Sequence, residues 1–151
     1  GLDAQIVRTL TAGTYTIEAT TSATSQLGAF TVVARTNAAP CFAAIAIGEQ
    51  ANGTWSTTCT SVSYDDHNAQ YYTLNVPVNQ TVSITLRSAV NAFLVLRSGN
   101  SQLGTLVTTN DNSGGGTDAK IARALTAGVY TIEATTASTN QSGAFTLSVS
   151  N

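Results

Sequence analysis

The chain has 151 residues, of which 42% are hydrophobic and only 9% are charged, and its formal net charge is −2. This length fits one domain, or one domain and a fragment, with enough apolar residues to form a core. The lack of a Lys/Arg cluster argues against nucleic-acid binding, and no apolar run approaches the ~20 residues of a membrane-spanning helix.

The first 34 residues of the chain recur near its end. Gly1–Ala34 aligns without a gap to Gly116–Val149 at a constant offset of 115, and 22 of the 34 positions are identical. An offset of this size is far longer than a solenoid repeat of ~20–50 residues, so each unit should be a self-sufficient domain. We therefore predict a tandem array. Residues 1–35 would be the last three strands of a preceding repeat, or a complementing strand segment, and residues 36–151 one complete unit.

Apolar and polar residues alternate along most of the chain, which is the period of a half-buried β-strand. In the first part this pattern predicts strands at 3–10, 13–21 and 28–34, followed by a linker at 35–40. In the complete unit it predicts nine strands, at about 42–48, 54–58, 70–76, 80–87, 92–98, 104–109, 118–125, 128–136 and 143–150. Short strands separated by turn signals predict an all-β, antiparallel, jelly-roll-like sandwich.

One position contradicts the alternation of apolar and polar residues. Arg8 and its counterpart Arg123 share the parity of the apolar residues on either side. Either a β-bulge shifts the register there, or the arginine lies at a sheet edge with its charged end in solvent. The sequence leaves both alternatives open.

The chain has two cysteines, Cys41 and Cys59, and both belong to the complete unit. They enclose a short loop, and the roughly four ligands of a zinc site are missing. We therefore expect a disulfide rather than two buried thiols, which indicates an oxidising, extracellular setting.

Several sequence segments of the complete unit are specific enough to suggest a family. They are C…NGTW…C, YYTLNVPVNQTVSITLRS, FLVLRSG, TNDNSGGGTDAKIARALTAGVYTIEATT and GAFTLSVS. Together they resemble the bacterial pre-peptidase C-terminal domain family, in particular its secreted tandem repeats with two cysteines. The resemblance covers roughly residues 40–150, and residues 1–34 match its final third. It implies a non-catalytic β-sandwich attached to secreted or surface proteins, often beside a peptidase.

Four residues with side-chain oxygens flank the glycine loop at 114–116: Asn110, Asp111, Asn112 and Asp118. Such oxygens on a loop can bind calcium, although their spacing does not fit an EF-hand. Asn and Asp beside Gly are equally typical of a plain tight turn. The family usually has acidic residues near positions 92 and 112, where this chain has Asn91 and Asn112, and this difference weakens the case for calcium.

Few residues are candidates for catalysis. His67 is the only histidine, and its cluster with Asp65 and Asp66 is more typical of a solvated loop than of a hydrolytic triad. Glu18 and Glu133 occupy equivalent positions in the repeat. One glutamate in each unit suggests a structural role, for instance pairing with an arginine, rather than a glycosidase pair. We expect that the chain is not an enzyme.

Other residues could act at the surface. Three N-x-S/T sequons, at Asn52, Asn79 and Asn140, are candidate glycosylation sites if the source organism glycosylates asparagine. Four aromatic residues could form a platform for sugars: Trp55, Tyr64, Tyr71 and Tyr72. For Trp55 the alternative is packing over the disulfide.

The sequence as a whole predicts a non-catalytic structural repeat of an extracellular or cell-surface protein. It would form a fibre or filament, through β-strand complementation between units or as a tandem array. Its partners would be copies of itself in a head-to-tail polymer, or adjacent repeats. The alternative is an accessory module that binds a substrate or a surface for a secreted peptidase. Calcium is the only candidate cofactor.

Overall fold

The computed structural model of the chain describes residues 14–32 and 41–151. These belong to two units, Gly1–Arg35 (unit 1) and Thr36–Asn151 (unit 2). Within the described ranges every strand lies in unit 2. No helix in those ranges has the length and apolarity that crossing a bilayer requires.

Unit 2 contains nine strands at nearly the positions that the alternation predicts. The exception is the second strand, which was predicted at 54–58 and forms earlier, because QANGTW has no apolar alternation and is held as a strand by its neighbour. The strands are β1 (Phe42–Ile45), β2 (Gln50–Trp55), β3 (Ala69–Val76), β4 (Gln80–Ser88), β5 (Ala92–Ser98), β6 (Leu106–Asn110), β7 (Ala119–Leu125), β8 (Gly128–Thr136) and β9 (Gly143–Ser150).

The nine strands form two sheets, which confirms the predicted all-β sandwich. The five-stranded sheet has the order β1-β3-β8-β5-β6, and the four-stranded sheet has the order β2-β9-β4-β7. All neighbours are antiparallel except β1 and β3, which are parallel. The last three strands do not pair with one another: β7 pairs with β4, β8 with β3 and β5, and β9 with β2 and β4. The final third of the unit is therefore held entirely by strands that precede it.

The core lies between the two sheets and is built by the apolar residues that alternate along each strand. Trp55 is fully buried there, with its ring centroid 4.6 Å from that of Phe145. Its indole Nε1 donates a hydrogen bond of 2.9 Å to the carbonyl oxygen of Ala134. Trp55, Tyr71 and Tyr72 are all buried, so these three rings do not form a surface for sugars.

Arg123 lies on an edge strand, and this settles the two alternatives for its position. The pairing of β4 with β7 runs without a shift from Gln80–Leu125 to Leu86–Ala119, so the strand has no bulge. Arg123 lies opposite Val82, whose side chain is buried, yet Arg123 itself is exposed because β7 is the outermost strand. A charge on the inward face of an edge strand opposes the addition of another strand at that edge.

The Cys41–Cys59 disulfide is formed, with 5.5 Å between the two Cα atoms. The carbonyl of Cys41 accepts a hydrogen bond from the N–H of Tyr71, and the carbonyl of Cys59 accepts one from the N–H of Ala69. The disulfide therefore joins two segments that both bind to β3.

Reduction of this disulfide should lower the free energy of unfolding by about 3 kcal/mol, because the unfolded chain regains the entropy of a closed loop. Urea unfolding followed by the fluorescence of Trp55, the only tryptophan, measures the change. A Cys41→Ala/Cys59→Ala variant should show the same loss and no response to reductant. Equal stability of the oxidised and reduced wild-type protein would contradict this role.

Candidate functional site

The outer face of the five-stranded sheet is covered by the β2–β3 loop (residues 56–68). Because β8 lies in the middle of that sheet, its residues are buried on both faces from Tyr130 to Thr136. On the outer face, the Thr135 hydroxyl donates a hydrogen bond of 2.8 Å to the carbonyl of Asn68 in the loop. The outward-facing Thr135 of β8 therefore binds the loop rather than water.

Glu133 is the centre of the contact between β8 and the loop, and it is fully buried. Its carboxylate accepts hydrogen bonds from the hydroxyls of Ser61 and Ser63, the second at 2.5 Å. Arg97 Nη2 donates to the Ser63 oxygen at 2.9 Å, and Nη1 donates to the carbonyl of Gly104 at 3.0 Å. The arginine partner expected for this glutamate is present, but it acts through the hydroxyl of Ser63.

Tyr71 completes the same network from β3. Its hydroxyl donates to the carbonyl of Thr60 at 3.0 Å and accepts from the N–H of Val62 at 2.9 Å. Burial, and secondarily the charge of Glu133, raises the pKa of Tyr71 to about 12, against smaller opposing effects of the Val62 N–H and Arg97. Tyr71 therefore stays neutral and keeps its proton as a hydrogen-bond donor to the loop.

The network of Glu133, Ser61, Ser63, Arg97 and Tyr71, which we call the Glu133 clamp, fixes the loop on the sheet. Serine and glutamate could suggest hydrolytic chemistry, but Glu133 and Tyr71 are almost completely buried. Two grooves on the described residues lie elsewhere. One, of about 410 Å³, runs between the edge strands β6 and β7 and is lined by Thr109, Lys120 and Arg123 among others.

His67 serves the same loop. Its Nδ1 lies 2.7 Å from the carbonyl oxygen of Thr136, and its ring is 5.6 Å from the ring of Tyr64. Asp65 and Asp66 are exposed. Among the residues that the structure describes, neither carboxylate is hydrogen-bonded to His67. The structure therefore places this cluster in a surface loop, as the sequence indicates.

Two of the four candidate calcium ligands, Asn110 and Asp118, accept hydrogen bonds from nearby backbone N–H groups. The Asn110 side-chain oxygen accepts from the N–H groups of Ser113 and Lys120, and Asp118 accepts from the N–H of Ser88. Asp118 also lies 3.7 Å from Arg87. In residues 14–32 and 41–151, no three His, Cys, Asp or Glu side chains are grouped so that they could hold a metal.

Two buried oxygens beside this loop have no hydrogen-bond partner among the described residues, Oδ1 of Asp111 and Oδ1 of Asn91. Both belong to the end of the sandwich where β5 begins and β6 ends. The side chain of Asn112 forms no hydrogen bond with any other described residue. Calcium at Asn110, Asp111, Asn112 and Asp118 stays a prediction.

The three sequon asparagines are all exposed. The Asn52 side-chain oxygen accepts from the Thr146 hydroxyl and that of Asn79 accepts from the N–H of Ala127, whereas Asn140 adopts a positive φ of 56°. Both hydrogen bonds use the oxygen and leave the amide nitrogen for a sugar. Glycosylation is compatible with these contacts and stays a prediction.

Unit 1 repeats the sequence of β8 and β9 but not their structure. Residues 14–32 form no strand, so the strands predicted at 13–21 and 28–34 are not formed in their described part, and their completion by a neighbouring unit stays a prediction. The strand predicted at 3–10 lies outside the described residues. Ile17 is 61% exposed where its counterpart Ile132 is fully buried, and Phe30 is 72% exposed where Phe145 is 3% exposed.

The reason for this difference is the pairing of the strands. Residues 116–149, which contain β7, β8 and all but the last residue of β9, are the C-terminal donor. Residues 41–110, which contain β1 to β6, are the acceptor. Residues 1–34 are the N-terminal donor. β7, β8 and β9 pair only with strands of the acceptor. Because the C-terminal donor occupies those strands, residues 14–32 form no strand pairing with them.

Comparison with known proteins supports the fold of unit 2. No protein-family model matches the chain, and no curated protein sequence matches it. Among solved structures, the pre-peptidase C-terminal domain of collagenase from Bacillus anthracis is similar, with a TM-score of 0.56 and 17% identity, over 72% of this chain and 93% of that domain.

A second similar structure is PliG from Aeromonas hydrophila, a periplasmic inhibitor of g-type lysozyme. It has a TM-score of 0.50 and 15% identity, over 72% of this chain and 96% of the inhibitor. The chain has the fold of a pre-peptidase C-terminal domain. The sequence resemblance is thus confirmed at the level of the fold.

The repeat offers a matched test of the Glu133 clamp. Glu133→Ala should lower the free energy of unfolding by about 2–4 kcal/mol, because it leaves the partly buried hydroxyls of Ser61 and Ser63 without their acceptor. Glu18→Ala, the equivalent change in unit 1, should have no effect on the unfolding of unit 2. Urea unfolding of both variants measures the difference, and equal effects of the two substitutions would refute the clamp.

Proposed function

We propose that this chain is a non-catalytic structural repeat of an extracellular or cell-surface protein, in which sandwich units follow one another in a fibre. One observation carries the proposal: Ile17, Phe30 and Val32 are exposed in unit 1, whereas their counterparts in unit 2 are buried. The disulfide supports an oxidising compartment, and the 9% charged residues limit repulsion between neighbouring units.

The exposed side chains of unit 1 indicate that it needs a partner. Ile17, Phe30 and Val32 are each more than half exposed. Apolar residues grouped in this way are typical of a contact surface. Their counterparts in unit 2 are all buried against the acceptor, so we propose an acceptor of the same kind as the partner.

The numbers of donors and acceptors favour an array over a polymer of separate copies. This chain carries two donors and one acceptor, and its own acceptor is already filled by the C-terminal donor. If the N-terminal donor of a second copy displaced the C-terminal donor from this acceptor, no strand pairing would be gained, because one donor is released for each one bound. We therefore propose that an adjacent repeat supplies the acceptor for residues 1–34.

A second candidate function is an accessory module that binds a substrate or a surface for a secreted peptidase. Similarity to a domain of a collagenase favours it. Retention of the purified chain on collagen, chitin or peptidoglycan would support this function, and no retention on any of the three would count against it.

Supplying a second acceptor tests the array. We expect that a chain with residues 41–115 joined ahead of Gly1 will fold residues 14–32 into strands, because they then have their pairing partners. Thermolysin, which cleaves before large apolar residues, should cut at Ile17, Leu27 and Phe30 in the chain as it stands and should no longer cut there in the extended chain.

The control for this experiment is the extended chain with Ile17→Asp, which should remain cleavable at the other two positions because a carboxylate cannot enter the core. Negative-stain images of the extended chain should show two beads. Cleavage of residues 14–32 at the same rate with and without the second acceptor would contradict the proposal.

A further inference from the structure

We infer that the N-terminal donor also fits the acceptor of its own chain, so that residues 1–34 and 116–149 compete for the same strands β1 to β6. The inference rests on the proposed function, because it assigns a partner to the same donor. It goes further in naming a particular acceptor, a register and the residue that recognises it.

The apolar residues of the two donors match almost completely. Nine apolar residues of the C-terminal donor are buried in unit 2, and seven of them are identical at the offset of 115 in the N-terminal donor. Ile132 corresponds to Ile17 and Phe145 to Phe30. Residues that never enter a core would not need to keep this pattern, whereas residues that enter a close-packed core would.

The buried polar residues of the C-terminal donor match without exception. Thr131, Glu133, Thr135 and Thr136 are buried in unit 2, and all four are identical in the N-terminal donor. The Thr131 hydroxyl donates to the carbonyl of Gly99, and the Thr135 hydroxyl donates to that of Asn68. Both carbonyls belong to the acceptor, so the same bonds are open to an N-terminal donor in the same place.

Glu18 is the residue that selects the acceptor and the register. In the place of Glu133 it would meet the hydroxyls of Ser61 and Ser63 and lie opposite Tyr71 on one side and Val95 on the other. A shift by one residue would turn Glu18 toward the core. An acceptor without the two serines would bury an unpaired carboxylate, which is strongly unfavourable.

The connection between donor and acceptor is long enough for this exchange. In unit 2 the carbonyl of Val149 accepts a hydrogen bond from the N–H of Gly48, which lies seven residues after Cys41. Ala34 corresponds to Val149 and lies seven residues before Cys41. The two paths to Cys41 have equal numbers of residues, so the chain from Ala34 can span the distance that residues 41–48 span.

The acceptor should bind the C-terminal donor more tightly than the N-terminal donor, because the two donors differ at two core positions. Leu147 corresponds to Val32 and Val149 to Ala34, and both residues of the C-terminal donor are fully buried. The smaller side chains leave unfilled space in the core, which should favour the C-terminal donor by roughly a hundredfold. The N-terminal donor should therefore bind when its competitor is weakened.

Aspartate substitutions in the full chain test this competition. Ile17→Asp disables the N-terminal donor, Ile132→Asp disables the C-terminal donor, and the double variant disables both. Trp55 reports the result, because its partners Ala134 and Phe145 are in the C-terminal donor and have Ala19 and Phe30 as counterparts.

We expect that Ile17→Asp will melt like the wild-type chain. Ile132→Asp should keep a cooperative melt at a lower temperature and a buried Trp55 spectrum at every dilution, and the double variant should be unfolded. Adding Glu18→Ala should lower the melting temperature of Ile132→Asp but not that of the wild type. If Ile132→Asp is as unfolded as the double variant, the inference is overturned.

A milder variant decides the question if Ile132→Asp aggregates. Leu147→Val/Val149→Ala gives both donors the same residues at the two differing positions, so residues 14–32 should become partly resistant to thermolysin. Cleavage as fast as in the wild-type chain would overturn the inference. The proposed function would still stand in that case, provided that a second acceptor placed ahead of Gly1 protects the same residues.

Discussion

Strand β8 is hydrogen-bonded on both sides to strands that come earlier in the chain, β3 and β5, and the rest of the structure depends on this arrangement. The strands that flank it in sequence, β7 and β9, lie in the other sheet. A segment with the sequence of β7 to β9 therefore cannot form a sheet by itself, however strongly its residues favour strands. This constraint explains why residues 14–32 form no strand, although their counterparts at 129–147 include most of β8 and part of β9.

The Glu133 clamp adds specificity to this arrangement. Burying a carboxylate is unfavourable unless its acceptor sites are filled, so the clamp contributes less to stability than an apolar residue of the same size could. The clamp instead contributes specificity of pairing, because the buried carboxylate of Glu133 has its hydrogen-bond donors where Ser61 and Ser63 lie above the strand. The disulfide holds the same loop through Cys59, two residues before Ser61.

The fold of unit 2 could be predicted from the sequence because its strands alternate clearly between apolar and polar residues. The strand at Gln50–Trp55 could not be placed, since its residues have no such pattern and only its pairing with β9 defines it. The partners of Glu133 were missed because Ser61 and Ser63 lie in a loop without periodicity. Residues 14–32 form no strand although their local pattern predicts strands at 13–21 and 28–34, because a local pattern does not supply the strands with which they would pair.

Hydrogen–deuterium exchange of the dilute chain tests the central claim most directly, because the two donors provide almost identical peptides in one sample. The account predicts that amides in residues 129–147 are protected and that amides in residues 14–32 exchange at the rate of an unfolded chain. Equal protection of both segments in a sample shown to be monomeric would contradict it, since residues 14–32 would then form strands without an acceptor.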